Sequence, residues 1–288
     1  MQAPLTEMLP PAERRPDGRV VLYVNGDYAG AVNREDLFRL PAVLEGLPGN
    51  TSRLAGAATW WQWKPAWHTG AGLVVRKYCH GGVFGALAGT LFLGDGRMLN
   101  EFSLSMYARR RGVPTATPVA VRIQKACGPF VRAHYVSERI ADTVNLLELL
   151  KDAGMGDALG APERRRLSQA IGAAIAAMHD AGIVHADLNL KNILVRDALG
   201  RPEAFVIDFD KAKLAGHLTL EQRMANLMRL DRSIAKWAAA RRAVHSADRL
   251  RFLRAYLQPY PQWSGQWRHI ARRYASRHLR HYAFRQQG

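Results

Sequence analysis

The sequence predicts an α+β fold of two lobes, a small antiparallel sheet followed by a helical lobe, with a cleft between them. Three observations predict it. Apolar runs dense in β-branched and aromatic residues recur up to residue 138. Helical periodicity dominates after about residue 140. Runs of strands followed by runs of helices belong to α+β architectures rather than to alternating ones. The chain accordingly divides into an N-terminal extension over 1–50, a strand-rich lobe over 51–138 and a helical lobe over 139–288 that ends in a basic helix.

Taken in order, residues 1–18 are rich in proline and charge and are expected to fray. "VVLYV" at 20–24, then Asn25-Gly26, then "DYAGAV" predicts a hairpin, because Asn-Gly favours the tight turn. "ATWWQW" and "GLVVRKY" read as strands, and glycines crowd 81–96. "RMLNEFSLSMYARRRG", 97–112, reads as a helix with Leu99, Phe102, Met106 and Tyr107 on one face and Gly112 as its stop. "PVAVRIQ" and "FVRAHYVSE" are two more strands. The stretch 162–182 is a helix with Pro162 at its start, Gly182 at its end and Leu167, Ile171, Ile175 and Met178 in register. "NILV" and "AFVIDF" are short strands joined by the turn-like "RDALGRPE", and 217–285 is helical in pattern.

Composition sets limits. The apolar fraction of 48% excludes disorder of the whole chain, and no apolar run is long enough to span a bilayer. The opening residues lack the pattern of a secretory signal, so a cytoplasmic location is expected. Two cysteines, Cys79 and Cys127, provide neither a metal cluster nor a disulfide framework. The formal charge of +17 calls for an anionic partner: nucleic acid, a phosphorylated ligand or an acidic membrane surface.

The informative stretch is "IVHADLNLKNILV", 183–195. Asp187 and Asn192 follow His185 at the spacing H-x-D-x-x-x-x-N of a kinase catalytic loop. Sixteen residues beyond Asn192, "VIDFD" places Asp208 after an apolar strand, where kinases carry D-F-G, with Asp210 in the glycine position. A long helix precedes the loop and a strand follows it. These residue types suit transfer of a γ-phosphoryl group, whose catalysis is mostly positioning and charge stabilisation. Asp208 and the Asn192 side-chain oxygen are hard ligands for Mg²⁺. Asp187 accepts or orients the proton of an attacking hydroxyl. His185 braces the loop. Asn189 stands where protein kinases commonly carry a lysine, and its amide orients a phosphate or a hydroxyl.

A protein-kinase-like fold requires a basic residue on the third strand and a glutamate on the next helix. The glutamate is Glu101. For the base, Arg76 and Lys77 point to opposite faces of a strand, so only one enters the cleft. Residue type favours Lys77. "LAGAA", 54–58, is a candidate phosphate-cradling loop, and "HGGVFGALAG" after the third strand is a substrate-facing one. Backbone near Glu138-Arg139-Ile140 is expected to form the hinge that binds adenine.

Four stretches carry a resemblance to a known family: "VVRKYCHGG", "EFSLSMYARRRGVPTATPVAVRI", "MHDAGIVHADLNLKNILV", and "VIDFDKAKL" with "NLMRLDRSIAKW". Over roughly 53–237 the chain resembles the bacterial 3-deoxy-D-manno-octulosonic acid (Kdo) kinases of the lipopolysaccharide kinase group. The resemblance implies ATP-dependent phosphorylation of a Kdo hydroxyl on a lipid A precursor, by a peripheral enzyme at the cytoplasmic face of the inner membrane. It implies Asp187 as proton acceptor and Asn192 and Asp208 as metal ligands. In its register Arg76, not Lys77, occupies the more constant position, so both stay candidates for the phosphate contact, and Lys191 replaces the family's usual histidine.

An anionic lipid acceptor also accounts for the net charge. The segment 262–285 resembles an interfacial helix, with Ile270, Tyr274, Leu279 and Tyr282 on one face and Arg272, Arg273, Arg277 and Arg280 elsewhere; the competing reading packs it on the helical lobe. Rival functions are a kinase of heptose or another small molecule, and a nucleic-acid-binding protein on a degenerate kinase fold that uses Trp60, Trp61, Trp63 and Trp67. No specific nucleic acid is expected, because every catalytic residue type is present. A protein kinase is disfavoured by "VIDFD" and by the absence of an A-P-E segment.

Overall fold

"VVLYV" is buried at four of its five positions, which a sheet wetted on one face does not permit. In the computed structural model, which describes residues 8–15, 17–47, 52–53, 59–79, 89–152 and 159–275, this strand lies inside a sheet covered on both faces. The strands are β1 (Ala12–Arg14), β2 (Val20–Val24), β3 (Ser52–Arg53), β4 (Thr59–Trp63), β5 (Leu73–Lys77), β6 (Phe92–Leu93), β7 (Pro118–Lys125) and β8 (Phe130–Glu138). They run β1-β2-β7-β8-β5-β4-β3, with β6 added to β8, and every pairing is antiparallel. Helices α1 (Arg34–Phe38) and α2 (Leu40–Glu45) cover one face through Leu37 and Leu40 against Leu22, Val75 and Val136. Helix α3 (Gly96–Arg110) covers the other through Phe102 and Met106 against Tyr78, Val121 and Tyr135.

Two sequence expectations fail here for one reason. There is no hairpin at Asn25-Gly26: Asn25 instead caps a 3₁₀ turn over Gly26–Tyr28, and its amide nitrogen donates to the Pro118 carbonyl at 2.9 Å. The described residues before 48 are not an appendage either, because β2 pairs along its length with β7. Sheet pairing across a hundred residues of sequence outweighs a local turn preference. Helix α3 matches its expected span, but it buries Met98, Glu101 and Leu104 as well as Phe102 and Met106, whereas Leu99 and Tyr107 are only half-buried.

The chain separates into one unit of residues up to Arg110 with Ala116–Ala141, and another of Arg111–Thr115 with Asp142 onward. The second unit holds β9 (Thr143–Asn145), β10 (Ile183–Val184), β11 (Ile193–Arg196), β12 (Glu203–Val206) and β13 (Lys213–Leu214). These form a three-stranded sheet, β12-β11-β9, and the pair β10-β13. Its helices are α4 (Leu146–Lys151), α5 (Ala161–Asp180), α6 (Leu220–Lys236), α7 (Ala238–Ala243), α8 (Ser246–Leu257) and α9 (Pro261–Ser264). Leu167, Ile171, Ile175 and Met178 of α5 are all buried, each contributing roughly 1.5–3 kcal/mol. Gly172 lets α8 approach α5 closely: a Cβ there would meet the Tyr256 nitrogen at 3.0 Å. Gly182, at φ +77, turns the chain out of α5 towards the 183–195 stretch.

The tryptophan cluster serves the first unit's core. Trp63 is buried and meets Trp67 edge-on at 5.5 Å, and Trp67 donates to Asp36 Oδ2 at 3.0 Å. Trp63 and Trp67 are therefore committed to packing. Residues 267–275 are helical, and Ile270 and Tyr274 are buried within the second unit while Arg272 and Arg273 are exposed. The described part of the expected interfacial face is thus core, and Arg277, Leu279, Arg280 and Tyr282 lie outside the described residues. Cys79 and Cys127 are free thiols. No described helix is long and apolar enough to cross a membrane.

Candidate active site

The stretch 183–195 folds around His185, which is 1% exposed. Its Nδ1 accepts from the Asp187 backbone N–H at 3.2 Å, and its Nε2 lies 3.0 Å from the Ile207 carbonyl. Both bonds are satisfied only by a neutral ring protonated on Nε2. Burial acts in the same direction and holds the imidazole below its ordinary pKa. His185 therefore ties the loop carrying Asp187 to the strand end that precedes Asp208. Phe209 packs against its ring at 5.6 Å. A second tie runs from the Ile207 N–H to the Asn192 carbonyl at 3.0 Å.

Within the loop, the Asp187 carbonyl accepts from the Asn189 and Asn192 side-chain amides, each at 2.9 Å. Since Asn192 Nδ2 donates there, its Oδ1 is the end that could hold a metal ion, and the residue is buried. Asp208 has φ +69, a left-handed conformation uncommon outside glycine and concentrated at functional positions. Asp187 itself is exposed, so its carboxylate is open to an incoming hydroxyl. Asn189 is employed differently from its expected role: its Oδ1 caps the Lys191 N–H at 2.8 Å and its Nδ2 holds Asp187. It shapes the loop rather than reaching for a phosphate.

Helix α6 clamps this loop with residues that sequence reasoning did not single out. Asn226 Oδ1 accepts from the His185 N–H at 3.1 Å, and its Nδ2 donates to the His185 carbonyl at 2.7 Å. Arg229 donates to the Ala186 carbonyl at 2.7 Å, and Ser233 Oγ accepts from the Leu190 N–H at 3.1 Å. The spacing 226, 229, 233 sets all three on one stripe of the helix. The signal was available as a polar i, i+3, i+7 series inside "NLMRLDRSIAKW". Behind the clamp, His179 bridges Asn226 at 3.0 Å and the Tyr256 hydroxyl at 2.7 Å. Burial lowers the His179 pKa to about 4.

In the first unit the ion pair on Glu101 is made by Arg76, which corrects the preference for Lys77. Arg76 and Tyr78 take one Glu101 carboxylate oxygen each. Arg76 and Tyr78 are two apart on β5 and its continuation, so they share the face that α3 covers; Lys77 pairs with His134 and faces the other way. The Arg76 guanidinium lies 4.9 Å from the Tyr78 ring and 5.6 Å from that of Tyr135. Glu101 is 1% exposed and sits among these partners.

The expected hinge is partly consumed by the fold. The Glu138 N–H donates to the Thr117 carbonyl at 2.8 Å and the Arg139 N–H to the Gly72 carbonyl at 2.9 Å, so neither is the donor to adenine. The Glu138 carboxylate accepts from Tyr28 and lies 3.6 Å from His68 Nε2. Ile140 is half-buried beside it. The glycine-rich stretches 54–58 and 80–88 lie outside the described residues.

A model of the lipopolysaccharide kinase (Kdo/WaaP) family matches residues 64–256. Over 186 residues the chain is 31% identical to a 3-deoxy-D-manno-octulosonic acid kinase of Vibrio cholerae serotype O1, an alignment spanning 63% of this chain and 73% of that one. With the enzyme of the same name from Vibrio parahaemolyticus the identity is 34% over 179 residues, 61% and 69% of the two chains. A solved structure described as WaaP in complex with acyl carrier protein aligns with a TM-score of 0.55 and 21% identity, covering 89% of this chain and 98% of that one; the likeness is one of fold. The family match takes in the Arg76–Glu101 pair, the 185–192 loop, Asp208 and the α6 clamp. The chain belongs to the lipopolysaccharide kinase (Kdo/WaaP) family and is an ATP-dependent kinase with a protein-kinase-like fold.

Proposed function

We propose that this kinase transfers the γ-phosphoryl group of ATP to a hydroxyl of the Kdo residue on a Kdo–lipid A precursor, at the cytoplasmic face of the inner membrane. The observation that carries the reading is the loop geometry: His185 and Asn192 bind the Asp187 and Asp208 segments together, and Asp187 stays exposed. The identity of the two Vibrio relatives supports Kdo as the sugar.

Asp187 accepts the proton of the sugar hydroxyl as its oxygen attacks the γ-phosphorus. The bond from that phosphorus to the bridging oxygen breaks and ADP leaves. The donor set fits Mg²⁺: one amide oxygen held clear of its own hydrogen bonding, and one carboxylate in a fixed backbone conformation. Asn192 and Asp208 would hold it, and the ion would neutralise charge on the transferring phosphates. We assign the nucleotide phosphates to Arg76, whose guanidinium pairs with Glu101. Arg272, exposed on the helical 267–275 segment, is among the residues that would meet an anionic bilayer.

The test is phosphate transfer from radiolabelled ATP to Kdo–lipid A, lipid A lacking Kdo, and free Kdo. Label is expected on the first alone or on the first and third. Asp187→Asn is expected to retain ATP binding and to lose roughly a hundredfold or more in rate. Presenting the acceptor in anionic vesicles should accelerate transfer at low salt and lose that advantage at high salt. Labelling of lipid A lacking Kdo overturns the acceptor, and indifference to vesicles and salt overturns the membrane surface.

A further inference from the structure

Trp237 stands at the junction of α6 and α7, half-buried, and three lysines from three elements converge on it. The Nζ atoms of Lys191, Lys151 and Lys236 lie 5.1, 5.4 and 5.7 Å from its ring centre. Lys151 ends α4, Lys236 ends α6, and Lys191 belongs to the catalytic loop itself, next to Asn192. One aromatic ring attracts a cation through either face. A third adds mutual repulsion: with all three inside 5.7 Å of one centre, no two can be further apart than twice that distance. That upper bound is somewhat beyond the screening length of physiological salt, about 8 Å, so any pair closer than the bound feels its neighbour. Glu148 lies 3.0 Å from Lys151.

We propose that Trp237 with Lys151, Lys191 and Lys236 forms a subsite for an oxyanion of the acceptor, docking the sugar beside Asp187. The inference rests on the acceptor being an acidic, phosphorylated glycolipid. The indole gathers the ammonium groups, and these bind the acceptor's carboxylate or a neighbouring phosphate as point charges. The link to the reaction is short. Lys191 Nζ is in the cluster, its backbone N–H is capped by Asn189, and the same Asn189 amide holds the Asp187 carbonyl. An anion bound among the lysines is therefore tethered to the loop that presents the base.

The experiment compares the parent with the triple variant Lys151→Gln, Lys191→Gln, Lys236→Gln and with the triple Lys→Arg variant, by acceptor KM, ATP KM and thermal melting. The triple Gln variant is expected to raise acceptor KM about tenfold or more, with ATP KM within about twofold of the parent, and the Arg variant to recover most of the loss. Dephosphorylated acceptor and its carboxylate methyl ester identify the source: the penalty vanishes for whichever lacks the bound group. An unchanged acceptor KM, a rise confined to ATP KM, or a penalty that persists on an acceptor lacking both groups overturns the subsite. A calorimetric titration with pyrophosphate under saturating ADP needs no turnover and separates this inference from the assigned acceptor. If no Kdo acceptor is phosphorylated but the parent binds pyrophosphate and the Gln variant does not, the subsite stands and the acceptor assignment falls. Equal binding by parent and variant overturns the subsite.

Discussion

Arg76 and Lys77 are neighbours in the chain and differ entirely in surroundings. Arg76 shares Glu101 with Tyr78 on the covered face, and its side chain is 19% exposed. Replacing it by alanine would leave the Glu101 carboxylate buried without its cation, which costs roughly 3–5 kcal/mol. Arg76→Ala is therefore expected to lower the melting temperature and weaken ATP use together. Lys77→Ala should stay within about 0.5 kcal/mol of the parent and leave ATP KM alone. Arg76→Lys keeps the charge without the planar fork and should recover only part of the loss. Melting and ATP titration of the three variants decide the matter, and a large ATP defect in Lys77→Ala would reverse the assignment. Adjacent basic residues on a strand cannot be told apart by type; what separates them is which face the next helix covers.

At the scale of elements, α6 makes the catalytic loop a fixed structure. Asn226 supplies both a donor and an acceptor to the His185 backbone and is 2% exposed, so truncation strands several buried polar groups. Asn226→Ala is expected to cost about 2–4 kcal/mol in urea unfolding and to reduce kcat more than ATP affinity. Ser233→Ala removes one bond, to the Leu190 N–H, and should cost about 1 kcal/mol. An Asn226→Ala protein as stable and active as the parent would show that the loop needs no clamp. The loop was legible in the sequence because its own residues carry the kinase spacing. The clamp was not, because three polar residues on a helix look like a solvated face until the partner is known.

Across the whole molecule, buried histidines set the acid limit of stability. Burial, aided by Arg122 and Lys77, holds His134 of the first unit down to about 3, and burial holds His179 of the second to about 4. Both begin near 6.5 when unfolded. Below that value the unfolded chain binds protons that the folded chain refuses, so stability rises with pH between about 4 and 6.5 and falls on acidification through the same window. Each histidine contributes a slope of up to about 1.4 kcal/mol per pH unit. Calorimetry at pH 7 and pH 5 is expected to show a loss of a few kcal/mol, and equal stability at the two would mean that these rings ionise freely. The charge of +17 works on another axis, since surface cations govern association with anionic partners and its salt dependence.

The sequence by itself determined the strand-then-helix order, the extents of α3 and α5, and the choice of Asp187, Asn192 and Asp208 as candidates. Those features depend on periodicity and on spacing along the chain, which a one-dimensional string preserves. Only the tertiary structure decided that β2 lies inside the sheet, that Arg76 rather than Lys77 meets Glu101, that Asn189 shapes the loop, and that Ile270 and Tyr274 are core. Three of these depend on a partner distant in sequence: β7 for β2, α3 for Arg76, the helical unit for Ile270 and Tyr274. Asn189 differs in kind, because its partners are close and its amide could equally have faced solvent; the turn through Asp187 and Lys191 uses both ends of it. The lysines around Trp237 follow the same logic, being 40 and 45 residues apart in the chain and gathered only where α4, the catalytic loop and α6 meet one ring.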